Sequence, residues 1–164
     1  YIEMIRLKTS VLLAGALKIG AILGGASEDD AQLLYDFGVR MGLAFQLQDD
    51  YLDVYGDPAV FGKKIGGDIL CNKKTYMLIT ALEKADAQTR RELLDWIAAS
   101  NYVPSSKIEA VTAIYNKVGI GEICQQKIDQ YYEEAKALLE KVSVEDALKQ
   151  NLMDFVLKLM NRKL

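Results

Sequence analysis

"MGLAFQLQDDYLDVYGD", residues 41–57, sets three carboxylates on a greasy helix. Met41, Leu43, Ala44, Phe45, Leu47, Leu52 and Val54 are apolar, and Tyr51 and Tyr55 add aromatic bulk, so little of this helix is left for water. Asp49 and Asp53 are four residues apart and share a face, Asp50 is three residues from Asp53, and Gln46 extends the stripe one turn earlier. The aspartates stand near the helix C-terminus, where the macrodipole opposes each by about 0.3–1 kcal/mol. Like charges four apart add a further penalty, and no Lys or Arg lies within one turn. Taken alone, the triplet reads as a solvated acidic face. On so apolar a helix it calls instead for a compensating cation. A hard divalent ion with oxygen ligands fits, and Mg²⁺ suits carboxylates that leave room for waters and substrate phosphates. An EF-hand fails on spacing: counted from Asp49 the glycine position is Val54, and counted from Asp53 it is Pro58.

Outward from this stretch the chain reads as all-helical. Ser27 is an N-cap for a helix over 29–55, about 40 Å long at 1.5 Å per residue, with Asp30 answering imperfectly for a capping-box glutamate. Before it, 1–22 forms one helix, and Ala14, Gly15 and Ala16 permit close approach of a neighbour. After it, "GDPAVFGKKIGGD" (56–68) is a glycine-rich loop begun by Gly56, Asp57 and Pro58. Further helices are expected over 69–84, 86–99, 107–118, 122–141 and 144–160, with Ser106 and Glu109 as a capping box for the 107–118 helix. No stretch alternates convincingly with a period of two.

Composition narrows the function. The 164 residues are 51% hydrophobic, enough for one sizeable core. A net charge of −3 makes no electrostatic case for nucleic acid. There is no histidine, which excludes His-based triads and an imidazole general base. Cys71 and Cys124 lack metal-ligand spacing and fit a reducing compartment. No apolar run is long enough for a transmembrane segment and no secretory signal is visible, so a cytoplasmic location is expected.

Several cations stand around this stretch in the sequence. Lys63 and Lys64 lie in the loop, Lys73 and Lys74 open the next helix, and Lys8 precedes an uncharged run from Thr9 to Leu17. "FGKKIGGD" is basic and glycine-rich but lacks Walker A spacing. Each lysine alone reads as a solvated or snorkelling side chain. Together with a metal-bearing acidic cluster, they would hold a diphosphate with its charge neutralised on all sides.

"GLAFQLQDDYLDVYGD" followed by "GKKIGGDILCNKKTY" resembles the second aspartate-rich region of the trans-isoprenyl diphosphate synthases, the polyprenyl synthetase family. "LKTSVLLAGALKIGAILGGA" is similar to the Lys-Thr helix that precedes it, and "VPSSKIEAV" to the C-terminal part. The resemblance implies an all-α helical bundle of the isoprenoid synthase type, with residues 1–164 as the C-terminal portion of one such domain. It implies that Asp49, Asp50 and Asp53 bind Mg²⁺, with Mn²⁺ a substitute. It further implies that Lys8, Lys73 and either Lys63 or Lys64 contact diphosphate, that Thr9 stands near a developing allylic cation, that Gln46 stands beside the metal and reacting carbons, and that Phe45 forms pocket wall. Asp68 is expected to stabilise the loop or pair with a lysine. The implied reaction is condensation of isopentenyl diphosphate with an allylic diphosphate, in a homodimer when full-length.

The family's first aspartate-rich motif does not occur in this chain. "SEDDAQ" (27–32) fails its spacing because position 33 is Leu. With one wall of a two-wall site, the fragment alone is expected to be inactive. A terpene cyclase of the same architecture and a non-catalytic subunit of a heteromeric prenyl synthase are the alternatives. The "GKKIGGD" and "NK" segments favour elongation over cyclisation, and the intact aspartates argue against a non-catalytic subunit.

Overall fold

The computed structural model describes residues 1–57 and 65–160, with no side-chain account of 159 and 160. All regular elements among them are helices. They are α1 (Ile2–Ile5), a π-helical turn (Arg6–Ser10), α2 (Val11–Leu23), α3 (Glu28–Tyr55), α4 (Gly67–Leu70), α5 (Tyr76–Lys84), α6 (Ala87–Ala98), α7 (Pro104–Val118), α8 (Ile120–Glu140) and α9 (Asp146–Met160). The chain forms two compact units, and both α3 and α8 contribute to each.

One unit holds, among the described residues, Ile2–Gln48 and 127–160. Its core joins Phe37 and Met41 of α3 to Ala135 and Leu139 of α8, with Val142 and Val156, and burial of each large side chain stabilises by about 1.5–3 kcal/mol. Gly38 and Gly42, one turn apart on α3, face Ala14 and Ser10, one turn apart on the first helical stretch. A Cβ on Gly42 would stand 2.7 Å from the Ser10 Cα, and one on Gly38 2.7 Å from the Ala14 Cα. Of the three small residues expected to admit a neighbour, Ala14 does so. A Cβ on Gly15 would meet nothing within 4 Å, and Ala16 is exposed. Ser27 Oγ accepts from Asp30 N–H at 3.1 Å, as expected of an N-cap. The Asp30 carboxylate does more than a capping box requires: it accepts from the backbone N–H of Ser143 at 2.8 Å and from the Ser143 hydroxyl.

The other unit holds Tyr1 and Asp49–Gln126. Here α7 packs against α4, α5 and α6. The helix expected over 69–84 is broken: α4 stops at Leu70, Asn72 takes a left-handed φ of 49°, and Thr75 caps α5 by accepting from Leu78 N–H at 3.2 Å. The helix expected from 107 starts three residues earlier, because Pro104 supplies a preset φ at the first turn. Ser106 therefore lies inside α7 and is not its cap. Gly119, at φ 72°, ends α7 in the left-handed conformation that glycine adopts without strain.

Candidate active site

The last turns of α3 carry their aspartates to three different fates. Gly66, at φ 85°, turns the chain back toward α3, and its N–H donates to the Asp53 carbonyl at 2.6 Å. A side chain there would run into Ile108. The turn sets the first N–H groups of α4 over the Asp53 carboxylate, which accepts from Asp68 N–H at 2.8 Å. A carboxylate placed against its own helix dipole thus serves the start of another helix. Burial raises the Asp53 pKa, and these N–H bonds pull the other way.

Asp50 is buried, with a side chain 4% exposed. Its carboxylate accepts from Lys73 Nζ at 2.8 Å and from the Tyr1 hydroxyl. Lys73 Nζ also reaches Asp68 at 2.8 Å, so one ammonium joins two carboxylates from separate elements. Burial pushes Asp50 up, against the opposing pull of Lys73 and Tyr1. For Lys73, burial disfavours the charge, but its bonds to Asp50 and Asp68 outweigh burial and hold its pKa well above the ordinary lysine value. The expected pairing of Asp68 with a lysine is therefore present. Part of the cation demanded by the acidic stripe comes from Lys73, twenty residues beyond Asp53 in sequence. Asp49 is half-buried, and its carboxylate has no hydrogen-bond or ion-pair partner among the described residues.

Lys8, Thr9, Gln46 and Phe45 belong to the other unit. Lys8 and Thr9 lie on the π-helical turn, where a continuous α-helix is expected from sequence. Such turns insert one extra residue, shift the register of the helix beyond them, and recur at functional sites. Lys8 is exposed, and the Thr9 hydroxyl donates to Gln46 Oε1 at 3.3 Å. Phe45 is half-buried. Lys63 and Lys64 lie outside the described residues.

No three acidic or sulfur side chains converge into a metal cage among the described residues. This donor set still fits magnesium, which needs only one or two carboxylates when waters and substrate phosphates complete its shell. Of the three aspartates Asp49 is the one whose carboxylate has no partner among the described residues, and Asp53 shares its helix face one turn on.

A family model described as polyprenyl synthetase matches residues 1–118. The chain belongs to the polyprenyl synthetase family. Among its relatives is a short chain isoprenyl diphosphate synthase of Methanothermobacter thermautotrophicus, 37% identical over 160 residues, covering 96% of this chain and 48% of that protein. A geranylgeranyl diphosphate synthase of Sulfolobus acidocaldarius is 32% identical over 145 residues, covering 87% of this chain and 43% of that protein. A crystal structure of a geranylgeranyl pyrophosphate synthase superposes with a TM-score of 0.91 at 41% identity, over 100% of this chain and 51% of that one. Another, from Corynebacterium glutamicum in complex with isoprenyl diphosphate and magnesium, gives 0.85 at 29% identity, over 99% and 47%. The expected all-α fold of this polyprenyl synthetase family is therefore present, and the chain spans about half the length of the relatives it matches.

Three residues bonded to Asp50, or at and behind the turn before Lys73, are given no role in the sequence reading: Tyr1, Asn72 and Lys107. Tyr1 offers no signal. Asn72 stands before Lys73 in "CNKK", and asparagine tolerates a left-handed turn. Lys107 shares the buried stripe of α7 with Val111, Ile114 and Tyr115, and a lysine on such a stripe is the legible signal.

Proposed function

We propose that the whole protein is an isoprenyl diphosphate synthase, joining isopentenyl diphosphate to an allylic diphosphate with release of diphosphate. The observation that carries this reading is the Asp50–Lys73–Asp68 bridge next in sequence to Asp49, whose carboxylate has no partner among the described residues, on a chain of the polyprenyl synthetase family. Lys73 is a held ammonium with 44% of its side chain exposed, suited to donate to a diphosphate oxygen. Asp49, with Asp53 one turn on, would hold Mg²⁺. At those carboxylates a magnesium ion would supply Lewis-acid stabilisation of diphosphate charge. Mn²⁺ is the expected substitute. Asp50 belongs to the same acidic wall and keeps Lys73 in place. Lys8 adds a second cation for the allylic diphosphate, and Lys63 or Lys64 a third. Thr9 and Gln46, already bonded to one another, offer oxygen dipoles to an allylic cation, while Phe45 contributes apolar wall that excludes water.

The same reading makes the whole protein a cytoplasmic homodimer and this chain alone inactive. No helix among the described residues is long and apolar enough to cross a membrane. Leu12, Ile19 and Leu23 of α2 are 79%, 60% and 83% exposed, which supports a site whose apolar surroundings are incomplete in this chain.

The test is titration calorimetry with inorganic diphosphate. The chain should bind it in the presence of Mg²⁺ and lose binding with chelator. Asp49→Ala should weaken binding by at least about tenfold, the effect of one charge-assisted interaction of about 1.5–3 kcal/mol. Its helical circular dichroism should be unchanged. Equal affinity for the variant would remove Asp49 from the metal site.

A further inference from the structure

Lys107 is 1% exposed, and no ion pair involves it among the described residues. Its Nζ donates to Asn72 Oδ1 at 2.7 Å and lies 4.4 Å from the centre of the Tyr102 ring. An apolar side chain would fill this space without the penalty of desolvating a charge. What lysine adds is a strong donor aimed at one acceptor.

That acceptor sits at the most constrained backbone position nearby. Asn72 has the one positive φ among the described non-glycine residues, 49°. Its side chain is engaged at both ends. Nδ2 donates to the carbonyl of Ile97 on α6 at 3.1 Å, and Oδ1 accepts from Lys107 on α7. The left-handed turn is thereby fastened to two helices.

Lys73 is the next residue. Its N–H donates to the Asp68 carbonyl at 2.9 Å, and its carbonyl accepts from Thr75 N–H at 2.8 Å. From this backbone the side chain reaches both Asp50 and Asp68. A residue in the right-handed region at 72 would redirect the chain just before Lys73. We propose that Asn72 and Lys107 form a latch that sets where the Lys73 ammonium stands, with Lys107 a positioning residue that acts through Asn72. The role in diphosphate binding rests on the function proposed above; the latch itself does not.

The test uses the whole chain with Asn72→Ala, Asn72→Asp and Lys107→Met, each checked for folding by circular dichroism. Lysines are acetylated with an N-hydroxysuccinimide ester, and the rate at each is read by peptide mass spectrometry. Exposed Lys136 is the internal reference, and Lys117 of α7, bonded to Thr89 at 2.8 Å, reports general loosening. In the unaltered chain Lys73 should react more slowly than Lys136. Lys107→Met, which loses one hydrogen bond, should raise the Lys73 rate by about fivefold, and Asn72→Ala, which loses two, by at least as much. Asn72→Asp keeps the acceptor for Lys107 but loses the donor to the Ile97 carbonyl, so its Lys73 rate should fall between those of the unaltered chain and Asn72→Ala, and the Lys117 rate should stay constant throughout. An unchanged Lys73 rate in the folded variants, or an equal rise at Lys117, overturns the latch. If Lys107→Met does not fold, the Asn72 pair decides alone. Diphosphate calorimetry on the same proteins separates the two readings: a Lys73 rate that responds in a chain that never binds diphosphate upholds the latch and overturns the diphosphate role.

Discussion

Asp30 ends up bonded to a residue 113 positions away. Ser143 donates to it twice, through hydroxyl and backbone N–H, and these bonds hold its pKa below the ordinary carboxylate range. The folded-state pKa lies under the unfolded one. The stabilisation is therefore complete above the ordinary carboxylate range and is lost as pH falls through the lower folded value. Ser143→Ala removes the hydroxyl donor and should move the acid-unfolding midpoint, followed by circular dichroism, to higher pH. A midpoint that stays in place would dissociate Asp30 from acid stability. Half of this was legible: Ser27 followed three residues later by Asp30 signals a helix start. The partner of the carboxylate was not legible, because no local pattern encodes a contact across the whole chain. The aspartates of α3 repeat the lesson. Their spacing marked them as a candidate site, yet which carboxylate would gain a partner depended on Lys73, Tyr1 and the N–H groups of α4.

At the scale of elements, close approach of α3 to the first helical stretch rests on glycines. At Gly42 a methyl group would meet both the backbone and the side chain of Ser10. Gly42→Ala should destabilise by about 1–3 kcal/mol through overpacking. Thermal unfolding should show it as a fall of several degrees, and an unchanged midpoint would mean that the helices separate freely. Thr75→Ala removes the cap of α5 and should cost about 1 kcal/mol, measured by urea unfolding. A null result there would show that tertiary packing alone starts the helix. Helix existence was legible nearly throughout, because apolar residues recur with helical period. The break at 71–75 was not, since "ILCNKKTYMLITAL" continues that period past the turn. The π-helical turn was equally hidden, because one inserted residue changes register without changing composition.

For the molecule as a whole, the incomplete span governs what activity to expect. The chain corresponds to 48% of one relative and 51% of one solved homologue. On the function proposed above, Asp49 and Lys73 would hold one diphosphate, whereas condensation requires two. Incubation with labelled isopentenyl diphosphate, an allylic primer and Mg²⁺ should therefore yield no elongated product. Turnover by these 164 residues would place a complete site within them.

Sequence by itself determined the helical class, the position of the acidic stripe and the family, because periodicity and motif spacing are local properties written along the chain. Only the tertiary structure decided the fates of the three aspartates. Asp53 meets the start of α4, Asp50 is joined to Asp68 through Lys73, and Asp49 is left with no partner among the described residues. It also placed Lys107 behind Asn72. The physical reason is that a buried charge is settled by whichever group arrives within bonding distance, and here those groups come from separate turns and helices.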